Sequence, residues 1–154
     1  MNTLQIERFM YNDEQIAKYY IGTFPIDSLP VKIWQKRAYF VINTASASLP
    51  GSTGHWLSVC LEPHDINEIY DSFALPVYDR RIKMLLGKHY RALKYRLQEL
   101  DSSVCGQYAC YFLYKKARNY SMEEIVDIFD KENSNLNDKK MELFFEQKAG
   151  FKLQ

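Results

Sequence analysis

The chain has few of the features that mark membrane, secreted or disulfide-stapled proteins. Its longest apolar run covers only residues 108–114, far short of the roughly 20 residues needed to cross a bilayer. Its 3 cysteines, an odd number, are too few for a disulfide framework. The N-terminus lacks the basic start and apolar stretch of a secretory signal. We therefore expect a protein that is not secreted, has no membrane partner and works in a reducing compartment.

An excess of one charge, internal repeats and low-complexity tracts are also missing. The 20 Lys and Arg nearly balance the 19 Asp and Glu, so the molecule as a whole has no general attraction for nucleic acid. Apolar and aromatic side chains are abundant, since 47% of the residues are hydrophobic and there are 12 Tyr, 9 Phe and 2 Trp. That content excludes intrinsic disorder. A length of 154 residues predicts a single domain spanning 1–154, which we expect to be a monomer.

Hydrophobic patterning predicts a small sheet. Residues 38–42, 56–61 and 68–73 are rich in aromatic and β-branched residues or alternate in polarity, as strands do. The loop 62–67 would join the last two strands into an antiparallel hairpin, and residues 93–97 alternate as a further strand.

Helical spacing predicts the remaining elements. Asn12 or Asp13 can cap a short helix carrying Ile16, Tyr19 and Tyr20, followed by an irregular loop over 22–30. Later helices are expected from Asp79, across 105–115, from the capping box Ser121–Glu124 with Ile125, Ile128 and Phe129 inward, and from Asn137. The predicted class is α+β, with a small mixed or antiparallel sheet flanked by helices.

Cys105 is the candidate nucleophile. Residues 101–103 are all N-cap types, which places Cys105 in the first turn of a helix. The pKa of a thiol falls at a helix N-terminus beside an imidazolium. Gly106 has no side chain, so a substrate carbonyl could approach the N–H groups of that turn, a geometry that favours acyl transfer. The alternative is that Cys105, like Cys60 and Cys110, is simply a small buried residue.

His55 and Asp71 are the candidate base and its orienting carboxylate. His55 opens the strand 56–61 after turn residues at 49–54, and Asp71 lies near the end of the returning strand. If the hairpin turns about Pro63, position 55 stands opposite position 71, with Cβ atoms roughly 4.5–5.5 Å apart. A hydrogen-bonded pair is predicted. The alternatives are a surface histidine and a solvated carboxylate.

Gln98 lies before the loop that leads to Cys105. Its side-chain amide could donate to a developing oxyanion together with the backbone N–H of Cys105. By itself Gln98 would be a polar residue at a strand end, so its role depends on its neighbours.

The order of these residues resembles a known family. Gly54-His55-Trp56, the segment 70–73 (Tyr-Asp-Ser-Phe), Gln98 and the segment 103–106 (Ser-Val-Cys-Gly) resemble the motifs of the adenovirus maturation proteinase (adenain) and its relatives in virophages and polinton-type elements. Segments 19–24 and 40–45 are also similar, so the matches extend over residues 19–114. Papain-like proteases have the opposite order, with cysteine first.

The resemblance implies a role for each matched residue. Cys105 would be the nucleophile, His55 the general base and acid, Asp71 the residue orienting His55, and Gln98 with the Cys105 amide the oxyanion hole. It implies an adenain-like fold with the nucleophile at the N-terminus of a central helix. The implied activity is that of a cysteine endopeptidase cleaving capsid or core precursor proteins during maturation, in the virion and in the cytoplasm or nucleus of the infected cell. The sequence itself requires no cofactor, whereas the resemblance implies DNA or an activating peptide.

Segment 80–96 is basic and has no acidic residue. It could contact DNA phosphates, and the candidate contacts are Arg80, Arg81, Lys83, Lys88, Arg91, Lys94 and Arg96. The alternative is a solvated face balanced by the acidic C-terminal third.

Two other functions fit the same residues. One is a ubiquitin- or SUMO-like deconjugating protease with the same His-Asp-Gln-Cys order. The other is a nucleic-acid-binding structural protein that uses the basic segment. No metal is expected, because the histidines and cysteines lack paired short spacings.

Overall fold

A computed structural model describes residues 1–30, 36–45 and 54–149. The architecture is α+β, as predicted, and is built on a five-stranded sheet in the order β1-β2-β3-β4-β5. β1 pairs with β2 and β4 with β5 in parallel, whereas β2, β3 and β4 are antiparallel neighbours, so the sheet is mixed. The strands are β1 (Tyr20–Pro25), β2 (Ala38–Asn43), β3 (Trp56–Leu61), β4 (Asn67–Tyr70) and β5 (Tyr90–Ala92).

Helices cover both faces of this sheet, and a short 3-10 helix, Ile26–Ser28, follows β1. The side chains of Asn2, Asp13 and Ser121 cap three of the α-helices by accepting backbone N–H groups of the first turn. The described α-helices are α1 (Thr3–Asn12), α2 (Glu14–Ala17), α3 (Arg80–Leu86), α4 (Cys105–Lys116), α5 (Met122–Val126) and α6 (Ser134–Ala149).

The two faces of the sheet carry separate hydrophobic clusters. Tyr39 and Val41 of β2 pack on the side of α4, whereas Phe40 and Ile42 pack on the side of α3. Successive side chains of a strand point to opposite faces, which explains why β2 and β3 are apolar runs with both faces buried. α4 is buried along most of its length and packs on β3, and Cys105 in its first turn meets the backbone of Trp56 at the start of β3.

The N-terminal predictions are partly wrong. Asp13 does cap a short helix, but Tyr20 begins β1 instead of continuing that helix, and the irregular loop expected over 22–30 contains β1 and the 3-10 helix. Gly22, with φ of +141°, lies at an irregularity in the β1–β2 pairing. β1 contains Gly22 and Pro25, residue types that are rare in strands, so local patterning did not reveal this strand.

Of the strands predicted on either side of α3, the one over 68–73 is too long and the one over 93–97 is wrong. β4 ends at Tyr70, because the carboxylate of Asp71 accepts the backbone N–H of Phe73 and turns the chain. The strand expected over 93–97 is absent from that described segment. The backbone N–H groups of Leu97 and Gln98 there both donate to the Ser72 carbonyl.

Details of the C-terminal helices also differ from expectation. α5 has the predicted capping box, but Ile128 is exposed outside that helix. α6 begins at Ser134, and the buried side chain of Asn137 bonds to backbone atoms of Leu97 and Asp130 instead of capping the helix.

The turn expected over 49–54 lies outside the described residues except for Gly54. Among the helices of the described ranges, none combines the length and apolar character needed to span a bilayer.

Candidate active site

The β3–β4 hairpin brings His55 and Asp71 together, but in a different register from the predicted one. Ser58 pairs with Tyr70, so position 55 extends toward position 73 and not toward 71. A shift of two residues keeps every side chain on its face, and diagonal neighbours remain within reach of long side chains. His55 Nε2 therefore still lies 2.6 Å from Asp71 Oδ1.

The backbone around His55 is held by the end of β2. The His55 N–H donates to Thr44 Oγ1 at 2.8 Å, and the His55 carbonyl accepts the Thr44 N–H at 2.9 Å. A Cβ atom at Gly54 would lie 1.6 Å from Asn43 Oδ1 and 2.6 Å from the Ala45 nitrogen. The glycine before the histidine is thus required by this close approach.

Asp71 organises a tight turn as well as holding the imidazole. Its Oδ1 accepts the Phe73 N–H at 2.8 Å, and its Oδ2 accepts the Leu75 N–H at 3.3 Å. Within the turn Ala74 has φ of 52°, in the left-handed region. The turn carries the Phe73 ring onto the imidazole, with centroids 4.4 Å apart and planes 24° from parallel. No role for Phe73 was expected from the sequence. The observed strand register, unlike the predicted one, places Phe73 opposite His55.

Cys105 is the first residue of α4, and its thiol is hydrogen-bonded to His55 and to the backbone N–H of Trp56. Because Nε2 of the imidazole contacts Asp71, Nδ1 is the ring nitrogen left for the sulfur. The N-cap residue is Val104 and not one of the polar residues 101–103. Valine has no polar side-chain atom with which to cap the helix, so it leaves the N–H groups of the first turn to other acceptors.

The pKa values of the two reactive groups shift in opposite directions. Burial lowers the pKa of His55, but hydrogen bonds to Asp71 and Cys105 outweigh it and raise the pKa from 6.5 to about 9. Burial raises the pKa of Cys105, but the hydrogen bonds from His55 and the Trp56 N–H, with the positive charge of His55, bring it below its ordinary value. These directions favour a thiolate–imidazolium pair near neutral pH.

The other two thiols have the opposite chemistry. Cys60 and Cys110 are fully buried, and burial raises the pKa of both. Of the three cysteines, all of which lie in described segments, Cys105 alone combines partial exposure with a lowered pKa.

Gln98 is buried beside the loop that leads into α4. Ser72 Oγ donates to its Oε1 at 2.5 Å, and its Nε2 donates to the carbonyl and the Oγ of Ser102 at 3.1 and 3.0 Å. The amide is thus held with its N–H groups directed to Ser102, three residues before Cys105. Its role in an oxyanion hole stays a prediction. The sequence did not predict that Ser72 and Ser102 hold Gln98. No motif around either serine indicates these contacts.

The side chain of Met1 occupies part of the approach expected over Gly106. A Cβ atom at Gly106 would lie 2.9 Å from both Cβ and Sδ of Met1. The Met1 carbonyl also accepts the indole N–H of Trp56 at 3.2 Å. Gly106 therefore leaves room for the Met1 side chain against the first turn of α4.

All the basic side chains predicted to contact DNA are exposed. They lie on α3, in the loop between α3 and β5, on β5 and in the segment after β5, and not along one helix face. Arg81 pairs with Asp79 at 2.8 Å, Arg91 approaches Glu68 at 4.0 Å, and Arg96 donates to the Gln98 carbonyl at 2.9 Å.

Comparisons add no relative to this geometry. The sequence matches no protein-family model, and a comparison with curated proteins finds no match. Across the described residues, no group of three or more His, Cys, Asp or Glu side chains is arranged to hold a metal ion. The chemistry of the site is therefore argued from its own residues.

Proposed function

We propose that the chain is a cysteine endopeptidase in which Cys105 is the nucleophile. The observation that carries this proposal is the continuous line from sulfur to imidazole to carboxylate, with the thiol at a helix N-terminus. A thiolate is the nucleophilic form of cysteine, and a fixed imidazole can both accept and return a proton.

The chemistry follows from the roles of these groups. The Cys105 thiolate attacks the scissile carbonyl carbon and forms a C–S bond, while the first-turn N–H groups of α4 stabilise the oxyanion. The Gln98 amide would join them by exchanging a Ser102 partner for the oxyanion. The protonated His55 gives its proton to the departing amine as the C–N bond breaks. His55 then removes a proton from water, which attacks the thioester and releases Cys105. Asp71 orients the ring throughout.

The proposed substrates are precursor proteins of a viral or mobile-element particle, since the motifs resemble those of adenain-like proteases. The same catalytic line would also serve a protease that removes ubiquitin- or SUMO-like modifiers. Cleavage of internal peptide bonds in capsid-precursor peptides, compared with cleavage of Gly-Gly-terminated modifier probes, distinguishes the two.

The direct test is loss of catalysis in Cys105→Ala and His55→Ala. We expect each variant to lower kcat for peptide hydrolysis by roughly 10³-fold or more, as removal of either member of a nucleophile–base pair does. Cys110→Ala, a buried thiol, and His64→Ala, an exposed histidine, are the matched controls. Activity of Cys105→Ala equal to that of the unmodified protein would exclude the proposed nucleophile.

We infer further that DNA modulates this activity through the exposed basic segment. The supporting observation is that every basic side chain of residues 80–96 is exposed. Binding of a DNA duplex should weaken steeply between about 50 and 200 mM salt, because phosphate contacts release counterions. Lys83→Glu with Lys94→Glu should weaken binding, whereas Lys139→Glu on α6 should not. Equal DNA binding by the unmodified chain, by the Lys83→Glu/Lys94→Glu double variant and by Lys139→Glu would contradict this role.

A further inference from the structure

An apolar pocket of about 420 Å³ lies next to His55. The turn and loop that follow Asp71 form one wall, and side chains of the sheet and of α3 form the floor. Phe73, Leu75 and Tyr78 belong to the wall, and Leu57 and Ile82 to the floor. We call this space the His55 pocket. Its size falls within the roughly 300–1,000 Å³ of ligand-binding clefts.

The rim of the His55 pocket is unusually apolar for a surface. Leu75 is 60% exposed and Tyr78 is 78% exposed, although both are large hydrophobic side chains. Apolar side chains grouped around a cavity mark a binding surface more often than scattered ones do. The pocket therefore suits an apolar side chain of a bound molecule.

The position of the pocket relative to the reacting groups indicates which part of a substrate reaches it. Both His55 and Asp71 line it, whereas Cys105 is not among its described lining residues. The imidazole thus stands between the thiol and the pocket. In acyl transfer the imidazole protonates the departing amine, so the departing peptide must lie on the side of His55.

We propose that the His55 pocket binds an apolar side chain from the first or second residue after the scissile bond. This inference rests on the proposed peptidase function and adds a specificity to it. Withdrawing one such side chain from water should favour an apolar residue over a polar one of similar size by roughly ten- to a hundred-fold in kcat/KM.

The test begins with a peptide library cleaved by the full chain and read by mass spectrometry, which gives residue frequencies on both sides of every cut. We expect Leu, Met and Phe to be enriched after the scissile bond. Leu75→Asn and Tyr78→Ala should each abolish that enrichment. Leu143→Asn is the matched control, because Leu143 is 57% exposed on α6, outside the pocket. Asparagine is used because a new charge would lie near Asp71, which accepts the Leu75 N–H.

A second substrate separates the two sides of the scissile bond. The best library peptide is compared with a truncated peptide that ends at the same bond in a primary amide, so that only ammonia departs and no side chain follows the bond. Leu75→Asn should lower kcat/KM for the full peptide about tenfold or more and leave the amide unchanged. Equal losses on both substrates, or enrichment confined to residues before the bond, would overturn the inference.

Failure of this inference differs from failure of the proposed function. Cleavage without a preference after the bond rejects the pocket assignment alone. If no library peptide is cut and Cys105 is no more reactive toward iodoacetamide than Cys110, both the pocket assignment and the peptidase function are rejected.

Discussion

His55 is held on three sides by residues that sequence reasoning treated separately. Asp71 binds one ring nitrogen, Phe73 covers one face of the ring, and Thr44 holds the backbone. The negative charge of the carboxylate also stabilises the positive charge of the protonated ring. Asp71 is therefore the side chain that does most to raise the pKa of His55, whereas the pKa of Cys105 is lowered mainly by His55 and depends on Asp71 only through that ring.

Replacement of that carboxylate tests the dependence. In Asp71→Asn the raised pKa of His55 should fall and the lowered pKa of Cys105 should rise toward its ordinary value of 9.0. The pH profile of iodoacetamide labelling, read at each cysteine by mass spectrometry, should shift to higher pH, and kcat should fall by up to about 10⁴-fold. Asp101→Asn, at an exposed site, is the control. An unshifted labelling profile in Asp71→Asn would exclude the role of Asp71.

At the scale of elements, the turn after β4 is tied to the loop before α4 through one serine. The Ser72 carbonyl accepts the N–H groups of Leu97 and Gln98, and its hydroxyl donates to the Gln98 side chain. Ser72 is fully buried, so its hydroxyl has no solvent to replace that partner. The turn that holds His55 and the loop that leads to Cys105 are therefore one connected unit.

Removal of this hydroxyl should affect catalysis more than binding. Ser72→Ala leaves the buried Gln98 Oε1 without that donor, at a cost of about 1–3 kcal/mol in the free energy of unfolding. If Gln98 stabilises the oxyanion, kcat should fall roughly tenfold with KM little changed, measured with urea unfolding alongside. Ser134→Ala removes a hydrogen bond of the same 2.5 Å length, to Glu99, and should leave kcat unchanged. A fall in kcat of equal size in both variants would show that only stability had changed.

The strands and the helix predicted best are those formed by unbroken apolar runs, which a short window of sequence is enough to recognise. β2, β3 and α4 are apolar runs bounded by polar residues, and their observed limits differ little from expectation. β1 and β5 lie at the edges of the sheet. β1 contains Gly22 and Pro25, and β5 is only three residues long, so local patterning hardly indicates either strand. The pairing of His55 with Asp71 was predicted from a register that is wrong by two residues. Because side chains alternate between the two faces of a strand, an even error leaves both side chains on the same face, and they still meet.

Part of the site was visible in the sequence because its residues carry their own chemistry. A thiol at a helix start, a histidine at a strand start and a carboxylate in the returning strand are recognisable singly. Thr44 and Ser72 contribute through contacts that depend on how distant segments pack. Met1 lies more than 100 positions from Gly106, so no spacing rule could have placed it there.

At the scale of the whole molecule, a buried ion pair joins the far end of α4 to the sheet. Lys116 Nζ lies 2.7 Å from Glu68 Oε1, and Glu68 is only 3% exposed. The hydroxyl of Tyr70 donates to the same carboxylate at 3.2 Å. This cluster lies on β4 and at the C-terminal end of α4, whereas Cys105 begins that helix, so the two ends of α4 are fixed by different chemistry.

Loss of the cation should be costly at this position. Lys116→Met leaves Glu68 buried with Arg91 at 4.0 Å as its remaining cation, and should lower the free energy of unfolding by about 3 kcal/mol. Urea unfolding measures the change. Lys139→Met, at an exposed position of α6, is the control. Adding Glu68→Gln to Lys116→Met should recover part of the loss, and no recovery would show that packing of the lysine stem, not charge, is responsible.

The seating of Met1 against Gly106 and Trp56 bears on how the protein is handled. The positive charge of the α-amino group contributes to the lowered pKa of Cys105. Acetylation of that amine, or further chain before Met1, would remove the charge from this position. Preparations that differ only in what precedes the first methionine are therefore different reagents for any study of thiol chemistry.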